Sequence, residues 1–347
     1  MSENIKSKWY AAFDESGVLK PFEFERRPVG DDDILIEIKA ASICHSDIHQ
    51  EKGHWGKQQY PQVPGHEIAW VVTQVGKNVT KFKVGDRAWV GCMVDGCTTC
   101  ENEEQYQANT LFTYGYPDDR EPTGITQGGY SNNIVVRDHF AVHIPDNISF
   151  EKAAPLMCAG ITTYSPIMKA NFKAWDKVAV AWVGWLWHLA VKLAVSKWAE
   201  VYAFTTTADK VEDIKWFGAK EVIVVDDNSK LYAYAGQMDY MISTIPYQFD
   251  VAAYASVVKP NGFFTQVGMP EAFQVTLSAI WLAASRVNFN ASLIWGMKET
   301  QEMVDYCVEN NVLPEIQMIK AEEITEAWKK VENKEARYRY VIDVNTL

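Results

Sequence analysis

Thiol, imidazole and carboxylate side chains are concentrated between residues 44 and 67, and this segment has the clearest capacity for chemistry. Cys44 begins it, and His66 and Glu67 end it. Zn²⁺ binds cysteine sulfur, histidine nitrogen and carboxylate oxygen, and a catalytic zinc site keeps one coordination position open. One more soft ligand must come from elsewhere, and Cys158 is the natural candidate. A lone Cys or His is more often a packing residue, but this combination of residue types predicts a metal site.

The residues around these candidate ligands carry a family resemblance that covers nearly the whole chain. The stretches are Cys-His-Ser-Asp-x-His from Cys44, Gly-His-Glu ending at Glu67, and Leu-x-Cys-Ala-Gly-Ile-Thr-Thr-Tyr from Leu156. This pattern resembles the zinc-dependent medium-chain alcohol dehydrogenases, most closely the cinnamyl alcohol dehydrogenase branch and its bacterial aldehyde-reductase relatives. The resemblance implies reversible hydride transfer between NADP(H) and an alcohol/aldehyde pair. The implied zinc ligands are Cys44, His66 and Cys158, with Glu67 as an exchangeable fourth.

The same resemblance implies a role for the side chains that follow Cys44. Ser46 is expected to take the proton of the alcohol, and His49 to pass it to solvent through the cofactor ribose. Asp47 is expected to bind His66 from outside the metal shell and so to fix the tautomer of that imidazole. The substrate pocket is expected to be aromatic and apolar, with Trp55 and Leu293 as candidates for its lining.

A second group of cysteines follows at Cys92, Cys97 and Cys100. A C-x2-C pair is typical of half a structural zinc knuckle, and a closed site needs four ligands. The resembled family supplies two further cysteines soon after the pair, but residues 101–108 contain neither Cys nor His. The ligand count therefore predicts that no structural zinc is bound and that Cys97 and Cys100 are free surface thiols.

The elements that must position these residues form two domains of different kinds. Residues 8–93 contain short strands separated by turns, which predicts a barrel-like β domain; in the resembled family this is the GroES-like catalytic domain. From about residue 172 strands alternate with helices, which predicts an α/β Rossmann domain with a doubly wound parallel sheet. The expected boundaries are 1–155 and 290–347 for the catalytic domain, and 156–289 for the cofactor domain.

The turn after the first strand of the second domain is predicted to bind a dinucleotide. Such a turn requires G-x-G-x-x-G, but the chain has Trp182-Val183-Gly184-Trp185-Leu186-Trp187, in which only the middle glycine remains. After the next strand an acidic residue would select NAD; Thr205, Thr206 and Lys210 suit the 2′-phosphate of NADP instead, although an ordinary polar turn explains them equally well. Further contacts implied by the resemblance are His45 near the phosphates, Thr162 at the nicotinamide, and Gly184 and Leu186.

Tryptophan stands at several positions where the resembled family usually carries glycine. A bulky residue is costly wherever φ must be positive, and overpacking a helix–strand contact costs about 1–3 kcal/mol. Three explanations stay open. The chain was engineered, it is a natural chain that has lost its cofactor, or the recorded sequence was not faithfully determined. The alternative to an enzyme is thus a zinc-binding but redox-dead or engineered scaffold whose nucleotide groove is blocked by Trp182, Trp185 and Trp187. The positions are Trp70, Trp89, Trp175, Trp182, Trp187, Trp198 and Trp295, and Trp185 stands over the same turn as Trp182 and Trp187.

Composition narrows the range of partners and locations. The 347 residues carry a net charge of −12, which argues against nucleic acid or an anionic membrane as a partner. No run of about 18 apolar residues occurs, and the N-terminus has no signal-peptide core, so the cytoplasm is the expected location. The six cysteines are then expected to be reduced thiols or metal ligands. The family resemblance implies a homodimer that acts on small-molecule alcohols and aldehydes.

Overall fold

The computed structural model describes residues 3–100, 109–181, 187–269 and 275–346. The chain divides into two compact units. The first comprises Met1–Ile161, Ile294–Glu309 and Leu313–Leu347, and the second comprises Thr162–Leu293 and Asn310–Val312. Within the described ranges, no helix has both the length and the apolar character needed to cross a bilayer.

The strands lie in both units. In chain order they are Ile5–Ala12 (β1), Leu19–Arg26 (β2), Asp33–Ser42 (β3), Ile68–Val75 (β4), Arg87–Val90 (β5), Met93–Asp95 (β6), Leu111–Phe112 (β7), Asn133–Arg137 (β8), Ala141–His143 (β9), Lys177–Ala181 (β10), Glu200–Thr205 (β11), Glu221–Val224 (β12), Met238–Ser243 (β13), Val258–Gln266 (β14), Asn288–Ala291 (β15), Ile316–Lys320 (β16) and Arg339–Asp343 (β17).

The α-helices are mostly short. They are His45–Glu51 (α1), Phe150–Ala153 (α2), Ala159–Lys169 (α3), Trp187–Ser196 (α4), Val211–Trp216 (α5), Ser229–Tyr232 (α6), Val251–Ala255 (α7), Ala279–Ser285 (α8), Met297–Glu309 (α9) and Ile324–Glu332 (α10).

The first unit is organised around a mainly antiparallel sheet. Its strand order is β16-β17-β3-β4-β5-β9, and β8 pairs with β3 beside this path. In β3 the alternate residues Ile34, Ile36 and Ile38 are buried, because successive side chains of a strand point to opposite faces. Two smaller ribbons, β1-β2 and β6-β7, complete the described sheets of this unit.

The second unit contains a parallel sheet with the order β12-β11-β10-β13-β14-β15. Numbered from β10, this is the 3-2-1-4-5-6 order of a doubly wound dinucleotide-binding fold. The central strand β10 is fully buried from Val178 to Ala181, as expected for a parallel strand with both faces covered. The predicted α/β class with a Rossmann-type sheet is therefore confirmed.

The turn that leads into β10 places Trp175 in a left-handed backbone conformation. The Asp176 amide donates to the Lys173 carbonyl (3.1 Å), which closes a four-residue turn with Trp175 in its third position. Trp175 has φ +73°, and a turn with positive φ at the third position requires glycine or asparagine there. The indole is left 71% exposed, so the ring points into solvent and gains little packing in return.

The end of α4 places a second tryptophan in the same conformation. The Trp198 amide donates to the Val195 carbonyl (2.8 Å) and the Ala199 amide to the Ala194 carbonyl (3.2 Å). This pair of bonds is a Schellman motif, whose residue after the helix cap is left-handed and usually glycine. Trp198 has φ +62° and is 70% exposed. The other left-handed non-glycine residues of the described ranges are four Asn, one Arg and one Lys.

Three other tryptophans of the set do not lie at left-handed positions. Trp70 is in β4 with its ring against Phe150 (4.2 Å between centroids), and Trp89 is fully buried in β5. Trp295 is half-buried and is absent from the residues with positive φ in the described chain. Trp70 and Trp89 therefore lie in strands, and the antiparallel sheet accommodates both side chains.

Candidate active site

Cys44, a candidate metal ligand, is the N-cap residue of helix α1. Cys44 has extended backbone angles (φ −118°, ψ 153°) and lies directly before the first helical residue. Its amide donates to the Asp47 carboxylate (2.9 Å), in the manner of a capping box. The same three-residue spacing that starts the helix therefore fixes both the thiol and the carboxylate.

The four predicted metal ligands come together in the first unit. Their ligand atoms all lie within 4.8 Å of one another, and all four side chains are buried: Cys44, His66, Glu67 and Cys158. The two sulfur atoms of Cys44 and Cys158 are 3.9 Å apart. Cys158 follows a 3-10 turn, Ala154–Met157, and the His66-Glu67 pair directly precedes β4. Residues separated by more than 100 positions thus share one small pocket.

Asp47 holds His66 in the orientation that a metal ligand needs. The Nδ1 atom of His66 lies 2.8 Å from the Asp47 carboxylate, which also accepts hydrogen bonds from the Gly65 amide (3.1 Å) and the Tyr130 hydroxyl (3.0 Å). The buried Nε2 atom of His66 has no hydrogen-bond partner among the described residues. A ring that donates through Nδ1 and leaves Nε2 available fits a metal ion, because ligating histidines are held in this way.

Gly65 is required by this arrangement. It has φ +105°, and an added Cβ would lie 2.7 Å from the Tyr130 ring and 2.8 Å from the Tyr130 backbone nitrogen. Any side chain would therefore displace the tyrosine whose hydroxyl binds Asp47.

Arg339 binds the fourth ligand, Glu67, and was not predicted from the sequence. The guanidinium, from β17, forms a buried ion pair with the Glu67 carboxylate and also donates to the Ser42 hydroxyl (3.2 Å). Burial raises the pKa of Glu67 to about 8, although the charge of Arg339 opposes this. The Glu67 carboxylate therefore has two possible partners, a metal ion at the candidate site and the Arg339 guanidinium. This suits an exchangeable ligand.

The thiols of the site interact directly. A hydrogen bond with Cys158 holds the pKa of Cys44 well below its usual value, and the same contacts raise the pKa of Cys158. The Cys92 thiol also contacts Cys158, and this hydrogen bond lowers the pKa of Cys92. Cys92 is thus a neighbour of the metal site, a position that its place before the C-x2-C pair did not suggest.

The residues predicted to move a proton lie on α1. Ser46 and His49 are half-buried. The Nδ1 atom of His49 is 2.8 Å from Nδ1 of His54, and its ring lies 5.3 Å from the ring of Trp55. Burial lowers the pKa of His45 to about 4, so this side chain is neutral at ordinary pH and offers a phosphate a hydrogen bond without a charge.

The predicted cofactor contacts lie mostly in the second unit. Thr205 ends β11 and is buried, whereas Thr206 is exposed, so no carboxylate stands at the end of this strand. Lys210 lies in the 3-10 turn Ala208–Lys210. The Thr162 hydroxyl is buried and has no hydrogen-bond partner among the described residues, which leaves it available to a ligand.

The structure describes Trp187 as the first residue of α4. Trp182, Gly184, Trp185 and Leu186 lie outside the described residues, and Leu293 of the expected substrate pocket is 39% exposed in the second unit.

Cys97 and Cys100 are joined by a disulfide, so the prediction of two free thiols is wrong. The ligand count distinguishes a closed metal site from free cysteines, but it does not exclude a bond between the two sulfur atoms. Both residues are partly exposed on the segment after β6.

An antiparallel unit that carries a candidate four-ligand metal site, together with a Rossmann-type unit, is the organisation of a medium-chain dehydrogenase. The family model for the alcohol dehydrogenase GroES-like domain matches residues 30–146. NADP-dependent alcohol dehydrogenase C 1 of Mycolicibacterium smegmatis is 43% identical over 97% of this chain and 98% of its own length. Cinnamyl alcohol dehydrogenase 2 of Arabidopsis thaliana is 38% identical over 99% and 93%.

Solved structures agree with these relatives. The structure of CAD from Helicobacter pylori, complexed with NADP(H), superimposes with a TM-score of 0.93, at 38% identity and 99% coverage of both chains. A cinnamyl alcohol dehydrogenase from Sorghum bicolor gives the same TM-score at 33% identity and 98% coverage of both chains. The chain belongs to the alcohol dehydrogenase family with a GroES-like domain, in the branch of the NADP-dependent and cinnamyl alcohol dehydrogenases. The resemblance on which the sequence analysis depended is thereby confirmed.

Proposed function

We propose that the protein is a zinc-dependent oxidoreductase that interconverts primary alcohols and aldehydes, aromatic or aliphatic, by hydride transfer with NADP(H). The observation that carries this proposal is the buried set of two thiols, one imidazole and one carboxylate whose ligand atoms lie within 4.8 Å of one another. Thiolate and imidazole ligands favour zinc, and an exchangeable carboxylate leaves a position for substrate. When bound there, zinc would act as a Lewis acid toward the substrate oxygen.

The side chains of this chain would then hold ligands and move the proton. Asp47 keeps the imidazole of His66 oriented through its Nδ1 atom, and Arg339 holds the Glu67 carboxylate when that group is away from the metal. Ser46 is proposed to receive the proton of the alcohol. His49 is proposed to carry this proton onward, and its Nδ1 atom lies 2.8 Å from that of the half-buried His54.

NADP(H) is the proposed cofactor. No acidic residue occupies the end of β11, where a carboxylate would bind the ribose 2′-hydroxyl of NAD; Thr205 and Thr206 stand there instead. The available Thr162 hydroxyl suits the nicotinamide carboxamide. The names of the relatives support the same choice, since they include NADP-dependent enzymes and a complex with NADP(H). A homodimer in the cytoplasm is the assembly and location that we expect.

The first test is metal analysis combined with a ligand variant. We expect about one zinc per chain, and Cys158→Ser should lose it because a site with so few ligands does not tolerate the loss of one. Cys307→Ser, which removes another buried free thiol, is the matched control. A chain without zinc, or a Cys158→Ser variant that keeps it, would overturn the proposed site.

The second test separates an active enzyme from a redox-dead zinc protein. Calorimetric titration with NADPH and with NADH should show a preference for NADPH, and aldehyde reduction should be the easier direction to detect. The triple variant Trp182→Gly, Trp185→Gly, Trp187→Gly should bind NADPH more tightly without a change in zinc content, because pyrophosphate needs the backbone amides of this turn. Zinc binding without NADPH binding in both proteins would favour the redox-dead alternative.

A further inference from the structure

The Cys97–Cys100 disulfide is partly exposed, unlike three of the four free cysteines. Cys44, Cys158 and Cys307 are buried free thiols and Cys92 is half-buried, whereas Cys97 lines an open depression beside Asn109. We propose that Cys97 and Cys100 form a reversible thiol–disulfide site that exchanges with low-molecular-weight thiols of the glutathione type. Exchange requires a thiolate to reach one of the sulfur atoms, and partial exposure of both cysteines permits this.

The surroundings favour a disulfide over a metal ion at this position. Two thiolates cannot complete a tetrahedral site. Among the described residues, Asp95 lines the same depression as Cys97, but its carboxylate is bound by Arg120 (2.6 Å) and Arg137 (3.3 Å). Arg120 also binds the carboxylate of Asp118, which lines the same depression. Within the described ranges the only group of side chains suited to a metal is the site around Cys44.

The disulfide lies at one end of a ribbon whose other end contacts the metal site. Strand β6 runs from beside Cys92 to Asp95, and the disulfide follows directly. The Thr113 amide donates to the Cys92 carbonyl (3.0 Å), which extends the pairing of β6 with β7. The next residue, Tyr114, stacks on His66 with 5.9 Å between ring centroids. Opening the disulfide therefore loosens a ribbon that bears two neighbours of the metal ligands.

The exchange is balanced without any further reactant. A thiolate of the small thiol attacks one protein sulfur, the S–S bond breaks, and the other cysteine leaves as a thiolate that takes up the released proton. A second small thiol then attacks the mixed disulfide, so that two protein thiols and one small-molecule disulfide result. Two electrons pass from the small thiols to the protein, and the reverse reaction closes the pair again.

The thiol count in defined glutathione buffers tests the exchange. The full-length protein is equilibrated in mainly reduced or mainly oxidised glutathione, and free thiols are alkylated and counted by mass spectrometry of the peptides. We expect two more alkylated thiols in the reduced sample, both at Cys97 and Cys100. Cys307→Ser should keep this two-thiol difference, and Cys97→Ser should lose it. An identical count in both buffers, or a change at other cysteines only, would overturn the proposal.

Hydrogen exchange tests the effect on the ribbon and does not depend on the proposed zinc or cofactor. Reduction should raise the exchange rate of amides in β6 and β7 at least several-fold and leave β10 of the other unit unchanged. The Cys97→Ser variant should show the faster rate in both buffers. Equal rates in the two redox states would overturn the mechanical role. A protein that shows these changes but binds no zinc would separate this site from the proposed activity.

Discussion

The metal site and the turns around β10 use the same physical rules with opposite results. At the candidate metal site each residue type agrees with the backbone around it. Gly65 is where a Cβ would collide, and the Asp47 carboxylate accepts hydrogen bonds from the Cys44 amide, the Gly65 amide and the Tyr130 hydroxyl. At the turns the backbone requires positive φ, and the residue present is tryptophan. Left-handed backbone costs an ordinary residue about 1–2 kcal/mol.

This difference shows how far a fold tolerates a local conflict. Trp175 and Trp198 keep the hydrogen bonds of their turn and helix end, and their rings point into solvent. The strain of these two tryptophans therefore falls on exposed positions of the second unit. A comparable conflict at Gly65 would displace Tyr130 and with it the support of Asp47. Four predictions test this contrast.

Arg339→Met should be the most destabilising of them. It removes the partner of a buried carboxylate, and breaking such a pair costs about 3–5 kcal/mol. Urea unfolding at pH 9, above the pKa of about 8 of Glu67, measures the change in the free energy of unfolding. The double variant Glu67→Gln, Arg339→Met should recover much of the loss, since no unpaired charge then remains. If the single variant is as stable as the unmodified protein, the ion pair has no structural importance.

Asp47→Asn should weaken metal binding and lower stability by about 3 kcal/mol, because an amide cannot accept all the hydrogen bonds of the buried carboxylate. Metal affinity is expected to fall about 10–100-fold, as found for groups that orient a metal-bound histidine. Competition with a chelator measures the affinity. Asp31→Asn is the control, since Asp31 is an exposed carboxylate paired with Lys77 on the surface. Equal losses in the two variants would contradict the assigned role of Asp47.

Glu51 is an exception within the well-matched region and gives a pH-dependent prediction. Burial raises its pKa to about 7, and the Gly17 backbone and Lys52 offset this only in part. Its contribution to stability is complete below the unfolded pKa of 4.5 and is lost as the pH rises through about 7. Glu51→Gln should therefore be more stable than the unmodified protein above pH 7, by about 2–3 kcal/mol. Parallel unfolding curves from pH 4.5 to 8 measure this, and an unchanged difference across the range would contradict it.

Trp198→Gly and Trp175→Gly should each stabilise the protein by about 1 kcal/mol, because glycine adopts positive φ without steric cost. Trp216→Gly is the matched control. Trp216 is equally exposed (72%), but it is the last residue of α5. Glycine there should cost about 0.5–1 kcal/mol. Thermal unfolding measures all three. A gain at Trp216, or a loss at both turns, would show that the contrast between the two regions is mistaken.

The sequence predicted those parts of the protein that depend on local pattern. Short strands separated by turns predicted the β domain, and strands that alternate with helices predicted the Rossmann domain. The residue types around Cys44 identified the four candidate ligands that the structure brings together. Arg339 was missed because a single basic residue in a strand looks the same whether it is buried or exposed. Tyr114, Tyr130 and Cys92 were missed because their contacts with the site join distant segments. The disulfide was missed because spacing alone does not separate ligand pairs from bonded pairs.

The two left-handed tryptophans also bear on how the gene is translated. Independent point mutations at turn glycines give a range of small and polar residues, whereas a codon with a reassigned meaning gives one residue at every position where it occurs. If the source cell inserts glycine at such a codon, Trp175 and Trp198 are glycine in the protein that it makes. We then expect these two positions to share a codon that differs from the codon of Trp328, whose buried indole donates to the Tyr130 hydroxyl (3.3 Å). The nucleotide sequence and the mass of the protein from its own cell test this directly, and one tryptophan codon throughout would exclude it.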